Sequence, residues 1–546
     1  MTIKRLILVV LTIFAIAKVS FSLVESWGQP QIQSRLELYQ TNLLLHASEW
    51  QGKNTDGATP QESTTDLTAA RNALIGTEPL KTARKQYEEA RQSAQTTQTK
   101  IAAQLQELSS KEVAVSTGDA KPQLQLSPIA DSPASSQKQQ QLQQSYALVD
   151  KLIDELDLRL GILRAQHGEV DAAITSWTEL TTQGAKDVGS APEKSLVQTA
   201  AVLTGLWSEP PRLLPDAEQQ IKKNLDSWFR YRGLTKLYQL QQRQDALLSL
   251  QTKEQEIAEQ AILKLALIGG IPGFGGLLGV VILLFLLGQR LLQGERSLLA
   301  TNGDVPWETP WDAEIVWQVL ILGFFFVGQF VLPYILLPLL FSSFGVNPAS
   351  FTVRMKAFYV LFSYLLLASG GLLVLYLSIK PFLPLPDDWF RFKLRSNWIL
   401  WGLGGYFVAL PLVILVSLIN QQLWQGQGGS NPILPLALEG RDSVALAVFF
   451  LTACVAAPVF EEIIFRGFLL PSLTRYMPVW GAIVASSLLF AIAHLSLSEV
   501  LPLATLGMVL GVVYSRSRNL LASMLLHGLW NAGTLLSLFV LGSGSK

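Results

Sequence analysis

Long apolar runs joined by short loops fill the second half of the chain and limit its fold more than any other feature. A helix needs about 20 apolar residues to cross a bilayer. Such runs lie near 263–289, 314–341, 356–379, 397–419, 443–465, 479–496, 499–515 and 520–541. Composition agrees, because 49% of the residues are hydrophobic and only 15% are charged. We therefore predict an all-α protein built on a polytopic membrane helix bundle with about eight spans.

The N-terminus predicts one further membrane helix over residues 1–24. Lys4 and Arg5 precede an apolar run there, which is typical of a signal anchor or a signal peptide. We favour an uncleaved anchor, because the sequence after the run offers only a mediocre cleavage site. Both interpretations export the segment that follows.

Residues 25–261 are polar and Gln-rich, and their pattern predicts an exported helical region. Residues 156–180 resemble one tetratricopeptide hairpin, or more simply a generic antiparallel helix pair. The composition near 117–145 is that of a disordered linker. His46 and His167 are isolated and are interpreted as surface residues, so this region shows no catalytic constellation. It is a possible docking surface for a protein partner.

Basic residues predict the orientation of the membrane helices, because cytoplasmic loops carry an excess of lysine and arginine. One side of the predicted arrangement holds many: Lys4, Arg5, Arg290, Arg296, Lys380, Arg391, Lys393, Arg395, Arg475, Arg516 and Arg518. The opposite loops hold only Arg354, Lys356 and Arg441. This places the N-terminus in the cytoplasm and residues 25–261 on the far side of an inner, plasma or thylakoid membrane. Residues 262–430 are then further membrane helices, and 431–546 form a membrane core.

Charge and cysteine content exclude some classes of partner. The chain has 42 basic and 42 acidic side chains, so no global charge favours nucleic acid. Its one cysteine, Cys454, can form no intrachain disulfide, and its spacing to other residues suggests no metal site.

Ionisable side chains lie inside the apolar sequence "FEEIIFRGFLLPSL", residues 460–473. Charges in lipid are energetically expensive, so they indicate function. Glu462 and Arg466 have the i, i+4 spacing of an intrahelical ion pair. Glu461 points about 100° away around a helix and lacks such a partner. We predict that the pair is architectural and that Glu461 is free for chemistry.

Two histidines lie in later apolar segments. His494 ends "FAIAH", four residues after Phe490, and His527 shares a helix face with Asn531. Distances counted along the predicted helices are compatible with a common layer of the membrane for Glu461, His494 and His527. A carboxylate and an imidazole there could deprotonate a water, and an imidazole and an amide could donate to an oxyanion. These are the parts needed for amide hydrolysis.

The segments "EEIIFR", "FAIAH" and "HGLWN" resemble the three signature motifs of the CPBP family, EExxxR, FxxxH and HxxxN. This family comprises the type II CAAX prenyl endopeptidases and the related bacteriocin-processing and immunity proteins. The resemblance covers roughly residues 440–541, the earlier spans less strongly, and the polar region not at all.

The resemblance implies a role for each matching residue. Glu461 and His494 would activate the water, and His527 and Asn531 would form the oxyanion pocket. Glu462 and Arg466 would support them. The implied activity is that of a glutamate-type intramembrane endopeptidase acting on a membrane-associated protein within the lipid bilayer.

Alternatives remain at this stage. The same fold could serve as a non-proteolytic scaffold or protein-stabilising factor, and intramembrane acids and histidines also occur in proton-coupled transporters. No cofactor is expected, because HExxH is absent and Asn531 is a poor zinc ligand, with a zinc peptidase as the alternative.

Overall fold

A computed structural model describes residues 2–27, 32–51, 72, 74–116, 133–184, 191–424, 428–429 and 442–542. These residues form helices, turns and loops, and none of them lies in a strand. The chain separates into two compact units. The membrane unit comprises Met1–Gln33 and Ile268–Ser543, and the polar unit comprises Ser34–Leu267. The division in the sequence between a polar and an apolar part is therefore a division between two folded bodies.

The described residues include eight helical segments that are long and apolar enough to cross a membrane. They are Ile3–Val24, Gln244–Arg296, Ala313–Ser343, Val353–Phe382, Trp398–Trp424, Ser443–Leu473, Leu497–Ser517 and Leu520–Gly542. The predicted bundle and the predicted N-terminal helix are both present.

The predicted span 479–496 differs from the others. Its helix, Val479–Ile492, has only 14 residues. At a rise of about 1.5 Å per residue it covers about 21 Å, less than the hydrocarbon thickness of a bilayer. The chain leaves the helix in a turn, so His494 lies just beyond its end rather than within it.

The N-terminal helix Ile3–Trp27 packs against the helical segment Ala313–Ser343. Lys4 and Arg5 both pair with Glu314, at 3.0 and 2.7 Å. Deeper in the same helix, the Lys18 ammonium donates to a backbone carbonyl at 2.6 Å. This lysine, which interrupts the apolar run, is thus satisfied inside the membrane unit. Retention of the helix as an anchor stays a prediction.

The tryptophans in "PWETPWDAEIVW" and "DDWFRFKLRSNW" flank membrane spans, and this position predicts interfacial belts. Three of them are instead buried. Trp307, Trp311 and Trp389 are at most 6% exposed. The Trp307 indole donates to the Asp388 carbonyl and the Trp389 indole donates to the Glu308 carbonyl, at 3.3 and 2.8 Å. These reciprocal bonds tie two loops together. Their position next to membrane spans predicted that these tryptophans lie at the membrane–water interface. Packing between the two loops buries their rings instead.

The polar unit is a helical body with its own hydrophobic core. Its helices are Ile32–Ser48, Pro79–Ser116, Pro133–Gln166, Val170–Gly184, Ala191–Trp207, Ala217–Asn224, Ser227–Leu240 and Gln244–Leu265. The predicted helix pair is present, with Trp177 fully buried and its indole 3.2 Å from the Leu158 carbonyl. Gly161 allows this packing, because a Cβ there would lie 2.2 Å from the Trp177 ring.

Two predictions for the polar region need correction. Residues 133–145, assigned to the linker, form the start of the helix Pro133–Gln166, whereas 117–132 lie outside the described residues. His46, interpreted as a surface residue, is only 3% exposed. An isolated histidine in sequence gave no sign of partners that lie about 180 and 208 positions away.

Candidate active site

The two glutamates lie on the segment Ser443–Leu473, called here the glutamate helix. Its α-helical turn Ala457–Glu462 lies between π-helical turns at Thr452–Ala456 and Ile463–Leu469. Pro458 favours the irregularity, because proline has no N–H to give to the carbonyl four residues earlier. Such π turns inside α-helices are frequent at functional sites.

Glu462 and Arg466 form the expected ion pair. Arg466 Nη1 donates to Glu462 Oε1 at 2.8 Å, and both residues are completely buried. Arg466 Nη2 donates to the Gly507 carbonyl at 3.2 Å, and the guanidinium carbon lies 4.5 Å from the centre of the Phe490 ring. One cation thus connects three helices.

His527 lies on the helix Leu520–Gly542, called here the His527 helix, and it contacts both glutamates. Its Nδ1 is 2.9 Å from Glu462 Oε1, and its Nε2 is 3.9 Å from Glu461 Oε2. Because an ionised carboxylate only accepts hydrogen bonds, we assign the proton to Nδ1. Glu462 therefore does more than neutralise Arg466, since it also fixes the orientation of His527 so that Nε2 faces Glu461.

Glu461 has a partner that the sequence motifs did not reveal. The Tyr364 hydroxyl, on the helix Val353–Ile379, donates to Glu461 Oε1 at 3.0 Å. Glu461 Oε2 is buried and has no hydrogen-bond partner among the described residues. The expectation of an unpartnered Glu461 is thus wrong for one oxygen and correct for the other. A hydroxyl in the middle of an apolar run was the only sequence signal for Tyr364.

His494 follows the short helix Val479–Ile492, and its Nδ1 lies 2.9 Å from the Phe490 carbonyl. Because a carbonyl only accepts, we assign the proton to Nδ1, which leaves a lone pair on Nε2. The Phe490 ring lies 4.9 Å from the His494 ring and 5.7 Å from the His527 ring, measured between centres. Within the described residues no hydrogen bond joins His494 to Glu461. Phe490 therefore separates the two imidazoles and fixes their spacing.

Asn531 lies one turn after His527 and contacts the glutamate helix at Ala453, well before Glu461 in the sequence. Its Nδ2 donates to the Ala453 carbonyl at 2.7 Å, inside the first π turn. Gly528 permits this approach, because a Cβ there would lie 2.7 Å from the Cys454 carbonyl oxygen. One N–H of the Asn531 amide is therefore used for helix packing, and the second remains for other acceptors.

The described residues hold no group of three or more histidine, cysteine, aspartate or glutamate side chains arranged to bind a metal ion. The candidate site consists of the carboxylates of Glu461 and Glu462, the imidazoles of His494 and His527, the Tyr364 hydroxyl and the Asn531 amide.

Comparisons with known proteins find similarity over the part of the chain that contains most of these residues. Residues 443–533 match the family model described as type II CAAX prenyl endopeptidase Rce1-like. The chain is 26% identical over 133 residues to the "Putative membrane peptidase YdiL" of Bacillus subtilis, covering 24% of this chain and 53% of that protein. It is 25% identical over 137 residues to the "Membrane-embedded CAAX protease MroQ" of Staphylococcus aureus, covering 24% and 54%.

The matched part of the chain spans about half the length of these curated relatives. No solved structure matches significantly. The family match contains every residue of the site except Tyr364, which lies on an earlier helix. The chain is thus an integral membrane protein whose residues 443–533 are similar to the Rce1-like family of type II CAAX prenyl endopeptidases.

Proposed function

We propose that the membrane unit is an intramembrane endopeptidase that hydrolyses a peptide bond of a membrane-associated protein. One observation carries this proposal: the buried, unbonded Glu461 Oε2 faces His527 Nε2 at 3.9 Å, and a buried ion pair orients that imidazole. Glu462 Oε2 is also buried without a partner, but Glu462 is already paired with Arg466, so Glu461 is the acid without a hydrogen-bonded cation and is free to take a proton.

Glu461 acts as the general base in this proposal. Its Oε2 takes a proton from a water molecule, and the oxygen of that water attacks the carbonyl carbon of the peptide bond. Tyr364 holds the other carboxylate oxygen, so that the base keeps one orientation. His494 offers a second proton acceptor, because its Nε2 carries a lone pair. The proton is finally delivered to the nitrogen of the leaving amine.

His527 and Asn531 stabilise the oxyanion in this proposal. His527 Nε2 donates a hydrogen bond only when the imidazole carries a second proton, and Glu461 can pass on the proton it has taken from water. The free N–H of Asn531 is the other donor. Preorganised donors of this kind lower the barrier most when water is excluded, as it is between apolar helices.

Comparative proteomics of membranes tests the function. A strain that carries Glu461→Gln should accumulate at least one uncut membrane-associated protein that the wild-type strain processes. If the protein is a scaffold, the processed species should be equal in both strains, because glutamine keeps the volume of the side chain. Equal levels of every processed species would therefore favour the scaffold and contradict the peptidase.

We further propose that catalysis needs no metal, since the site supplies a carboxylate base and its own oxyanion donors. Purified protein should keep its activity after treatment with a strong chelator. Stoichiometric zinc, together with activity that is lost on chelation and restored by zinc, would establish the zinc peptidase instead.

A further inference from the structure

The polar unit contains a second group of reactive side chains, joined by hydrogen bonds, and the family match does not cover it. His46 lies on the helix Ile32–Ser48, Ser227 begins the helix Ser227–Leu240, and Glu254 lies on Gln244–Leu265. His46 Nδ1 is 2.6 Å from Glu254 Oε1, and His46 Nε2 is 2.7 Å from Ser227 Oγ. Three separate helices thus bring a serine, a histidine and a glutamate into line.

We assign the hydrogen-bond directions among these three side chains from their chemistry, with Glu254 ionised. His46 and Glu254 are 3% and 2% exposed, so neither side chain exchanges these bonds for water. The carboxylate accepts from Nδ1–H, which leaves the Nε2 lone pair to accept the hydrogen bond of the Ser227 hydroxyl. This is the order of groups in which a serine becomes a nucleophile: the acid orients the imidazole, and the imidazole takes the hydroxyl proton.

Ser227 itself has two properties of a nucleophile. Its φ is 51°, in the left-handed region that non-glycine residues seldom adopt and that is overrepresented at active sites. It is also only half-buried, unlike its two partners, so part of the residue is open to solvent.

The start of the Ser227 helix can stabilise negative charge. The preceding Asp226 makes no side-chain capping bond and instead pairs with Arg159 at 3.1 Å. The first N–H groups of a helix have no intrahelical acceptor, and here no cap side chain occupies them. Free N–H groups at the start of a helix stabilise negative charge that develops close to them.

We propose that Ser227, His46 and Glu254 form a serine-hydrolase site in the polar unit, acting on acyl substrates such as carboxylic esters. Ser227 Oγ attacks the acyl carbon while its proton passes to His46 Nε2. The imidazolium returns that proton to the departing alkoxide, and an acyl-serine results. A water molecule then attacks the acyl carbon, its proton returns through His46, and the carboxylic acid leaves with the serine regenerated.

A fluorophosphonate probe tests this site on the full-length protein in detergent. The protein should carry Glu461→Gln, so that the membrane site contributes nothing to any activity. The expected result is one covalent adduct per chain, located by peptide mass mapping on Ser227. Hydrolysis of p-nitrophenyl butyrate should fall by at least about 100-fold in Ser227→Ala and in His46→Gln, which lose the nucleophile and the base.

Ser208→Ala provides the control, since the Ser208 hydroxyl bonds only to backbone carbonyls, of Gly205 and Pro210. It should keep the labelling and the esterase rate. If Ser227, His46 and Glu254 only stabilise the packing of their helices, the probe should form no adduct at Ser227 in the unaltered polar unit. Absence of an adduct, or an adduct on another serine, would overturn the proposal whether or not the variants fold.

Discussion

At the scale of single residues, the adjacent acids Glu461 and Glu462 differ because their contacts differ. Glu462 meets Arg466 and His527, both through Oε1, in a fully buried position, whereas the hydrogen bond of Glu461 comes from the neutral Tyr364 hydroxyl. Each acid leaves its Oε2 without a hydrogen-bond partner among the described residues. A carboxylate with two cationic or polar partners is suited to hold structure. A carboxylate with an unbonded oxygen and no hydrogen-bonded cation is suited to take a proton.

Glu462→Gln should destabilise the membrane unit strongly. It leaves Arg466 as a buried cation without a counter-charge, and breaking a buried pair costs about 3–5 kcal/mol. Thermal unfolding in detergent should show a clear fall in Tm. Replacing Glu462 and Arg466 together by apolar residues should recover much of that loss. Equal melting temperatures for Glu462→Gln and Glu461→Gln would contradict this division of roles.

Tyr364→Phe should slow catalysis and leave the protein folded. It removes one hydrogen bond to a charged group, which is typically worth about 1.5–3 kcal/mol and so corresponds to about 10–100-fold in rate. Tyr359→Phe, on the same helix but packed against Phe341 and Phe351, is the matched control. The measurement is turnover beside Tm for both variants. An unchanged rate in Tyr364→Phe would show that Glu461 needs no such orientation.

The sequence predicted those parts of the site that depend on short spacings. Glu462 and Arg466 are one turn apart, and a single helix decides whether they meet. The bond between Tyr364 and Glu461 crosses 97 positions, and the bond between His46 and Glu254 crosses 208. Pairing over such distances depends on how helices pack, which no local pattern in one sequence encodes.

At the scale of helices, irregular turns and small residues position the chemistry. The π turns shift the direction of side chains along the glutamate helix, and Gly528 lets the His527 helix come close to it. The sequence showed Pro458 but not the π turns, because a π turn depends on which carbonyls the neighbouring helix can satisfy. The sequence also led to a predicted helix that is too long before His494, because the apolar composition continues beyond Ile492 into a turn.

Gly528→Ala should therefore separate the glutamate helix from the His527 helix. The added Cβ would lie 2.7 Å from the Cys454 carbonyl oxygen, which is backbone and cannot rotate away. Overpacking of this kind typically costs about 1–3 kcal/mol, and the activity should fall together with Tm. Gly288→Ala is the control, because nothing lies within 4 Å of a Cβ at that position. Equal Tm values for both variants would contradict the close approach.

At the scale of the whole molecule, the separation of a polar from an apolar unit was readable from composition alone, because burial in lipid and burial in a water-soluble core need different residues.

The orientation in the membrane is a prediction from basic residues. Cysteines introduced at Thr175, in the polar unit, and at Arg395, in a basic loop, should react with an impermeant reagent from opposite sides of sealed vesicles. The background should carry Cys454→Ala, and labelling of both positions from one side would refute the orientation.

The most direct test of the central claim is cleavage in ¹⁸O-labelled water. Purified wild-type protein and Glu461→Gln are incubated with membranes from a strain that lacks the protein, and new C-termini are quantified by mass spectrometry. The account predicts ¹⁸O-labelled C-termini with the wild type and at least about 100-fold fewer with Glu461→Gln, since loss of a general base typically costs 10²–10⁴-fold in rate. The Tm of the variant should stay close to that of the wild type. Equal yields of labelled C-termini from both proteins would show that Glu461 is not the base and would contradict the proposed mechanism.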